Sequence, residues 1–341
     1  MDDAGPSGVS AAAGAARSAT GAFLWVYAFV GGCAQALTGE AAPANLAPAE
    51  GWIWAHLPLS DQRARGFLEQ FHEMPEAARE MILACETRVQ VQFAGDWAYG
   101  VLPDVQRDPE GRGAGGPGRL YFALDARRLV TARRHALQGV DEVRRKVAAG
   151  IELESPAEAW IELVEGLIDL AERRLHALSE AIDRIEDRML GDDEDLEALQ
   201  LGPTRRELSR QHRELLVLRS ALGRALAPRA AARMPALVDQ IPRLSHEVED
   251  LDREAGGLQE RARLLNEEID TRMAAGANRS MRTLTILSTL LIPPTLIVGA
   301  FGMNLPGMPF ETGHAGFAKA LLLCVAVVAG AYGLLRRWRI L

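Results

Sequence analysis

Apolar positions along this chain change period twice, and each change marks a different architecture. Up to about residue 150 they come in short runs closed by Gly, Pro or Asp. Phe23–Val30 and Trp52–Leu57 are aromatic-rich runs that predict strands. Asp61–Phe71 and Pro75–Cys85 read as helices, the second with Pro75 at a first-turn position. Val89–Phe93 with Trp97–Leu102, and Leu120–Leu124 with Leu129–Thr131, predict strand pairs turning at Gly95-Asp96 and at Asp125. Residues 21–150 are thus expected to form an α/β domain. The Ala/Gly/Ser-rich stretch 1–20 before it is expected to be disordered.

From residue 151 to 280 the period is helical. Ser155-Pro156-Ala157-Glu158 is a capping box with proline at the first helical position. Trp160, Leu163, Leu167, Leu170, Leu178, Ile182, Ile185 and Met189 then mark one apolar face, as far as Gly191. After the acidic turn Asp192, Asp193, Glu194, Asp195, a return helix from about Thr204 to Leu226 completes a long hairpin. Leu244, Val248, Leu251, Ala255, Leu258, Ala262, Leu265 and Ile269 alternate steps of four and three, a coiled-coil seam. Nothing breaks the helix between that seam and the apolar stretch beyond it. One helix from about Arg243 to Gly302 would be roughly 90 Å long. Gly256-Gly257 and Pro293-Pro294 are the places it could bend.

In the last segment, 281–341, polar positions almost disappear. Thr283–Phe310 carry no charged side chain or histidine, and between Glu311 and Arg336 only His314 and Lys319 intervene. A membrane span needs about 20 apolar residues, so two membrane helices are expected. A freely soluble enzyme is excluded. So is a transporter working as a single copy, because two helices cannot enclose a path.

Charge refines this. Of 38 basic and 46 acidic residues, only Arg279, Arg282, Lys319, Arg336, Arg337, Arg339 and Glu311 lie beyond residue 277. The preceding part is strongly acidic, which disfavours nucleic acid and enriches cations nearby. Five arginines flank the outer ends of the two spans and only Lys319 lies in the connecting half, so both termini are expected in the cytoplasm. Cys33, Cys85 and Cys324 form no metal-ligand spacing and are expected as buried small hydrophobes in a reducing compartment. Gly111–Gly118 is glycine-rich, but no Gly-Lys-Ser/Thr follows, so no nucleotide partner is expected. No nucleophile–base pair suggests an enzyme.

The first span ends in Phe301-Gly302-Met303-Asn304-Leu305-Pro306-Gly307-Met308-Pro309. A Gly-Met-Asn triplet in this place, behind a very long helix and an acidic α/β domain, resembles the CorA superfamily of divalent-cation transporters. The resemblance covers essentially the whole chain beyond residue 20. Asn278, Met281, Pro293, Thr295, Gly299 and the triplet match the family pattern in register. Phe301 before the triplet, with Gly302, Asn304, Gly307 and Pro309, is similar to the ZntB-like zinc branch. The phrase Trp54–Asp61 and the run Glu86-Thr87-Arg88 look like that branch too, whereas Pro306 departs from it. The resemblance implies a homo-pentamer in the inner (cytoplasmic) membrane, with Gly302, Met303 and Asn304 as the selectivity filter. It implies zinc uptake, down the electrochemical gradient, and the zinc branch adds proton coupling as an alternative; a magnesium, cobalt or nickel path of the same superfamily stays open. No cofactor is implied.

The residues can also be read without the resemblance. Asn278, Met281, Leu284 (or Thr285), Ser288, Ile292, Thr295 and Gly299 share one helical stripe. Around an oligomer axis they would line a pore; helix packing explains Ser288 and Gly299 equally well. Met281 and Leu284 suit a hydrophobic constriction. Asn304 would offer a ring of neutral oxygens. Zinc prefers Cys, His and carboxylate ligands, none of which the span has, while oxygen-only rings suit a hydrated ion such as magnesium. Glu311 and His314 are candidate outer-loop groups, and Asp192–Asp195 a weak candidate metal site. The other histidines read as surface or packing residues. The rival class is a membrane-anchored coiled-coil signalling or scaffold protein.

Overall fold

A computed structural model describes residues 21–37, 46–107, 115–190, 201–226, 234–302 and 316–338. The stretch 1–20, the acidic turn Asp192–Asp195, Met303, Asn304, Glu311 and His314 therefore lie outside the described residues. The chain divides into two compact units, one of residues 1–185 and 200–262, the other of 186–199 and 263–341.

The first unit is built on a seven-stranded sheet in the order β2-β1-β3-β7-β6-β5-β4. The strands are β1 Trp25–Val30, β2 Cys33–Leu37, β3 Trp52–Pro58, β4 Gln90–Ala94, β5 Trp97–Val105, β6 Pro117–Leu124 and β7 Arg128–Arg133. All neighbours run antiparallel except β3 and β7, which are parallel with Ile53 beside Arg128. From Trp52 to Leu57, β3 is buried at every position, because both faces of the sheet are covered. Ile53, Ala55 and Leu57 face one core, shared with α1 (Gln62–Gln70) and α2 (Glu76–Leu83). Asp61 starts α1 by accepting a hydrogen bond from the Arg63 amide; Pro75 is the residue just before α2 and not in its first turn, where the sequence places it.

Alternate β3 residues bury polar atoms. The Trp54 indole donates to Thr131 Oγ1 at 2.8 Å, Trp52 donates to the Leu153 carbonyl, and His56 Nδ1 lies 2.7 Å from Thr131 Oγ1. Burial first, then the charges of Arg133 and Arg144, push His56 well below its ordinary pKa, so it is a neutral packing residue.

Within residues 21–150, two elements go beyond the sequence expectation. β2 pairs with β1 across Gly31-Gly32, both at positive φ, and forms a sheet edge. α3 (Gln138–Ala148) covers the sheet near β5. The cysteines require a correction: Cys33 is exposed and Cys85 and Cys324 are half-buried. Edge strand β2 has little covering it, so Cys33 points into solvent instead of a core.

α4 (Pro156–Leu190) begins at the capping box. The Glu158 amide donates to Ser155 Oγ, and the Glu158 carboxylate accepts from the Glu154 amide, one residue before the cap. α5 (Gly202–Ala225) returns, and after a short turn α6 (Pro235–Val238) the chain enters α7 (Ile241–Phe301). α7 has 61 residues, roughly 90 Å, and stays helical through both the glycine and proline pairs.

Every seam residue from Leu244 to Ile269 is buried within a single chain, none more than 8% exposed. In the first unit, ion pairs flank the seam, Arg219 with Glu249 and Asp252 and Arg261 with Asp183, and His212 Nε2 lies 3.0 Å from Asp252. Partly solvated pairs of this kind add little each, so apolar burial carries the packing. In the second unit Arg272 donates to the Met189 carbonyl at 2.6 Å. α8 (Gly316–Arg337) closes the fold.

Candidate functional site

The site expected from sequence lies on the C-terminal part of α7. The most apolar stretches of α7 and α8 have mean hydropathy 1.9 and 2.1, and each helix is long enough to cross a bilayer. In α7 that stretch is wholly unburied in one chain. Apolar surface of this extent is stable only against lipid or other helices.

The helix places the expected stripe on one side as a matter of period. Met281, Leu284 and Ile292 are 60–64% exposed, and Asn278, Thr295 and Gly299 are exposed as well, while Ser288 is half-covered. Ile292, Thr295 and Gly299 line one shallow depression together with Leu291, Leu296 and Ala300. The absence of a side chain at Gly299 opens it, since an added Cβ there would meet nothing within 4 Å.

The hydroxyls have a definite polarity. Thr295 Oγ1 donates to the Leu291 carbonyl at 2.7 Å, and Thr285 Oγ1 to the Met281 carbonyl at 2.8 Å. With the proton directed into the helix, each oxygen presents its remaining lone pair outward, as an acceptor only. Thr289, which the sequence stripe passes over, is bonded the same way to Thr285. The residue type and an i−4 carbonyl are the signals that could have revealed it. Pro293 and Pro294 have no amide proton to give the carbonyls of Thr289 and Leu290. This segment therefore offers oxygen acceptors and no charge.

At the helix end the Gly302 amide donates to the Val298 carbonyl at 2.9 Å. A Cβ on Gly302 would lie 3.3 Å from that oxygen and 3.4 Å from the Gly299 oxygen, tight enough to disturb the last turn. Met303 and Asn304, the rest of the expected filter, lie outside the described residues, as do Glu311 and His314. Among the described residues no three His, Cys, Asp or Glu side chains converge to hold a metal.

Residues 49–337 match the family model described as CorA-like Mg2+ transporter protein. The zinc transport protein ZntB of Yersinia enterocolitica is 26% identical over 306 residues, covering 84% of this chain and 88% of its own. Among solved structures, full-length CmaX superposes with a TM-score of 0.76 at 23% identity, covering 93% of this chain and 98% of its own. The complete CorA magnesium transporter of Methanocaldococcus jannaschii gives 0.72 at 15% identity, covering 92% and 97%.

Proposed function

We infer the function from one premise: the chain belongs to the CorA-like Mg2+ transporter family. It is a divalent-cation transporter of the membrane and not an enzyme, which removes the scaffold reading. We propose that it carries zinc into the cell through a pore formed by several copies of α7 in the inner membrane. The support for zinc is the set of ZntB relatives. A pentamer is the assembly that the family resemblance implies, with both termini cytoplasmic by the arginine distribution.

One observation carries the mechanism: the unburied face of α7 offers hydroxyl and carbonyl oxygens and no ionisable group between Thr283 and Phe301. Such a surface cannot strip and ligate zinc, which would need His, Cys or carboxylate. It can accept hydrogen bonds from the waters around the ion. The ion therefore passes hydrated, held first at the Asn304 ring and then guided along Gly299, Thr295, Ile292 and Ser288. Leu284 and Met281, nearer Asn278, form the apolar constriction where loss of water closes the path. A 2+ ion crossing 100 mV gains about 4.6 kcal/mol, roughly a thousandfold accumulation without ATP.

The oxygen-only lining favours a second reading, magnesium or cobalt as cargo. Uptake into proteoliposomes of zinc, magnesium, cobalt and nickel, each with and without a proton gradient, decides between them. Zinc flux that exceeds the others supports the first reading; magnesium flux without zinc flux overturns it.

A further inference from the structure

The first unit carries a basic cavity that the transport path does not use. It is lined by Arg107, just after β5, and by Gln138, Asp141, Arg144 and Arg145 of α3. Its volume is about 290 Å³, close to the lower end of small-ligand pockets. The backbone fixes the two walls together. Gln106 bridges to Leu137, and the Arg107 amide donates to the Ala136 carbonyl at 2.8 Å, which holds Arg107 opposite the first turn of α3.

The charges in this cavity are not balanced. Its one carboxylate, Asp141, is taken by Arg133 at 3.0 Å. Among the described residues no carboxylate lies within 4.0 Å of the Arg107 or Arg144 guanidinium, and Arg145 reaches Glu142 only at 4.0 Å. Arg144 Nε is buried with no hydrogen-bond partner. Its guanidinium lies over the Trp25 ring instead, 5.1 Å from the centroid, and Arg133 lies 5.5 Å from the same ring. Their positive field reaches His56, stacked on Trp25 at 4.0 Å, and helps keep it neutral. The start of α3 contributes no spare donor here, because Asp104 already accepts from the Gly139 and Val140 amides.

In a chain with more acids than bases, two arginines lining one cavity, neither paired with a carboxylate among the described residues, leave an unmet demand for an anion. Planar guanidinium forks match tetrahedral oxyanions in geometry and charge. We propose that this cavity binds a small phosphate-type oxyanion, held by Arg107 and Arg144 with Arg145 at the rim. The phosphate is either the free ion or the end group of a small phosphomonoester.

The test uses the full chain in detergent micelles and equilibrium dialysis with radiolabelled inorganic phosphate, at ionic strength fixed with sodium chloride. The expected result is saturable binding of one phosphate per chain, about tenfold weaker in each of Arg107→Gln and Arg144→Gln. Arg107 is exposed and unpaired among the described residues, so its variant should fold even if the Arg144 variant does not. A Trp25 fluorescence change that follows occupancy, and is lost in Trp25→Phe, would place the anion beside Arg144. Glycerol 3-phosphate competing more strongly than phosphate identifies a phosphomonoester; weaker competition identifies the free ion. Binding that is absent, or unchanged in Arg107→Gln, overturns the proposal.

Discussion

Asp104 accepts a hydrogen bond from the Gly139 amide at 2.8 Å, so a side chain at the end of β5 caps α3 from 35 residues away. The same carboxylate accepts from Val105 at 2.6 Å and from Val140 at 3.1 Å. Gly139 is required by this approach. A Cβ there would lie 2.5 Å from Leu167 and 2.9 Å from Asp104 Oδ1. Three amides favour the ionised form, yet burial outweighs them and pushes Asp104 from 3.8 up to about 6.

The sign of the pH effect follows. The folded state holds the Asp104 proton more tightly than the unfolded chain does. This contribution is fully present below about pH 4 and is lost as pH rises through about 6, on the order of 3 kcal/mol. The stability difference between the native chain and Asp104→Asn should therefore move against the native chain over that interval. Denaturant titrations at pH 4, 5, 6 and 7 measure it; a difference constant with pH rejects the assignment. Gly139→Ala should destabilise by about 2 kcal/mol or more, through the Leu167 clash.

The seam gives a second prediction. Leu258 is 8% exposed and buried within its own chain. Leu258→Asp places an unpaired carboxylate there and should cost about 3 kcal/mol or more, lowering the melting temperature before the oligomer comes apart. Thermal unfolding followed by circular dichroism, with mass by light scattering in parallel, separates the two events. A melting temperature equal to that of the native chain contradicts a packing role.

Thr295 tests the outward oxygen. Thr295→Val keeps the shape and removes the acceptor, so cation uptake should fall several-fold with expression and oligomer size unchanged. Thr295→Ser, which can still donate to the Leu291 carbonyl, should restore most of it. Equal flux in the Val variant would mean that Thr295 faces a neighbouring helix.

Asn304 is the sharpest test of the filter. On the proposed role, in which the neutral Asn304 amide would hold the hydration shell without binding too tightly to release, Asn304→Leu and Asn304→Ala should abolish uptake in proteoliposomes. Asn304→Asp should retain binding but slow release or change ion preference. Native rates in Asn304→Leu would reduce the triplet to a helix stop.

Proton coupling has few places to reside. The sequence Thr283–Phe310 contains no titratable side chain, so side chains of this stretch cannot relay protons. If flux responds to a proton gradient, Glu311→Gln with His314→Gln should abolish that response while leaving voltage-driven flux. Coupling that survives in the double variant shows that neither is required.

What the sequence determined are properties local to one element. The capping box at Ser155, the helix through Pro293-Pro294, the seam Leu244–Ile269 and the two apolar spans are written in neighbouring residues, because helical period and capping act over one or two turns. The family was legible from one triplet in register with one helix. Tertiary structure decided which elements meet. The parallel pairing of β3 with β7 depends on closing a loop of about 70 residues, which no local pattern encodes. Cys33-Ala34-Gln35-Ala36-Leu37 has no strand-like composition and pairs only because β1 offers it a free edge. The seam could equally have joined two chains; only the fold shows it buried in one. Asp104 with Gly139, and Arg107 with Arg144, are separated by more than 30 residues and joined only where β5 ends against α3. Their chemistry arises from that approach, since burial raises the carboxyl and, among the described residues, no carboxylate pairs with either arginine.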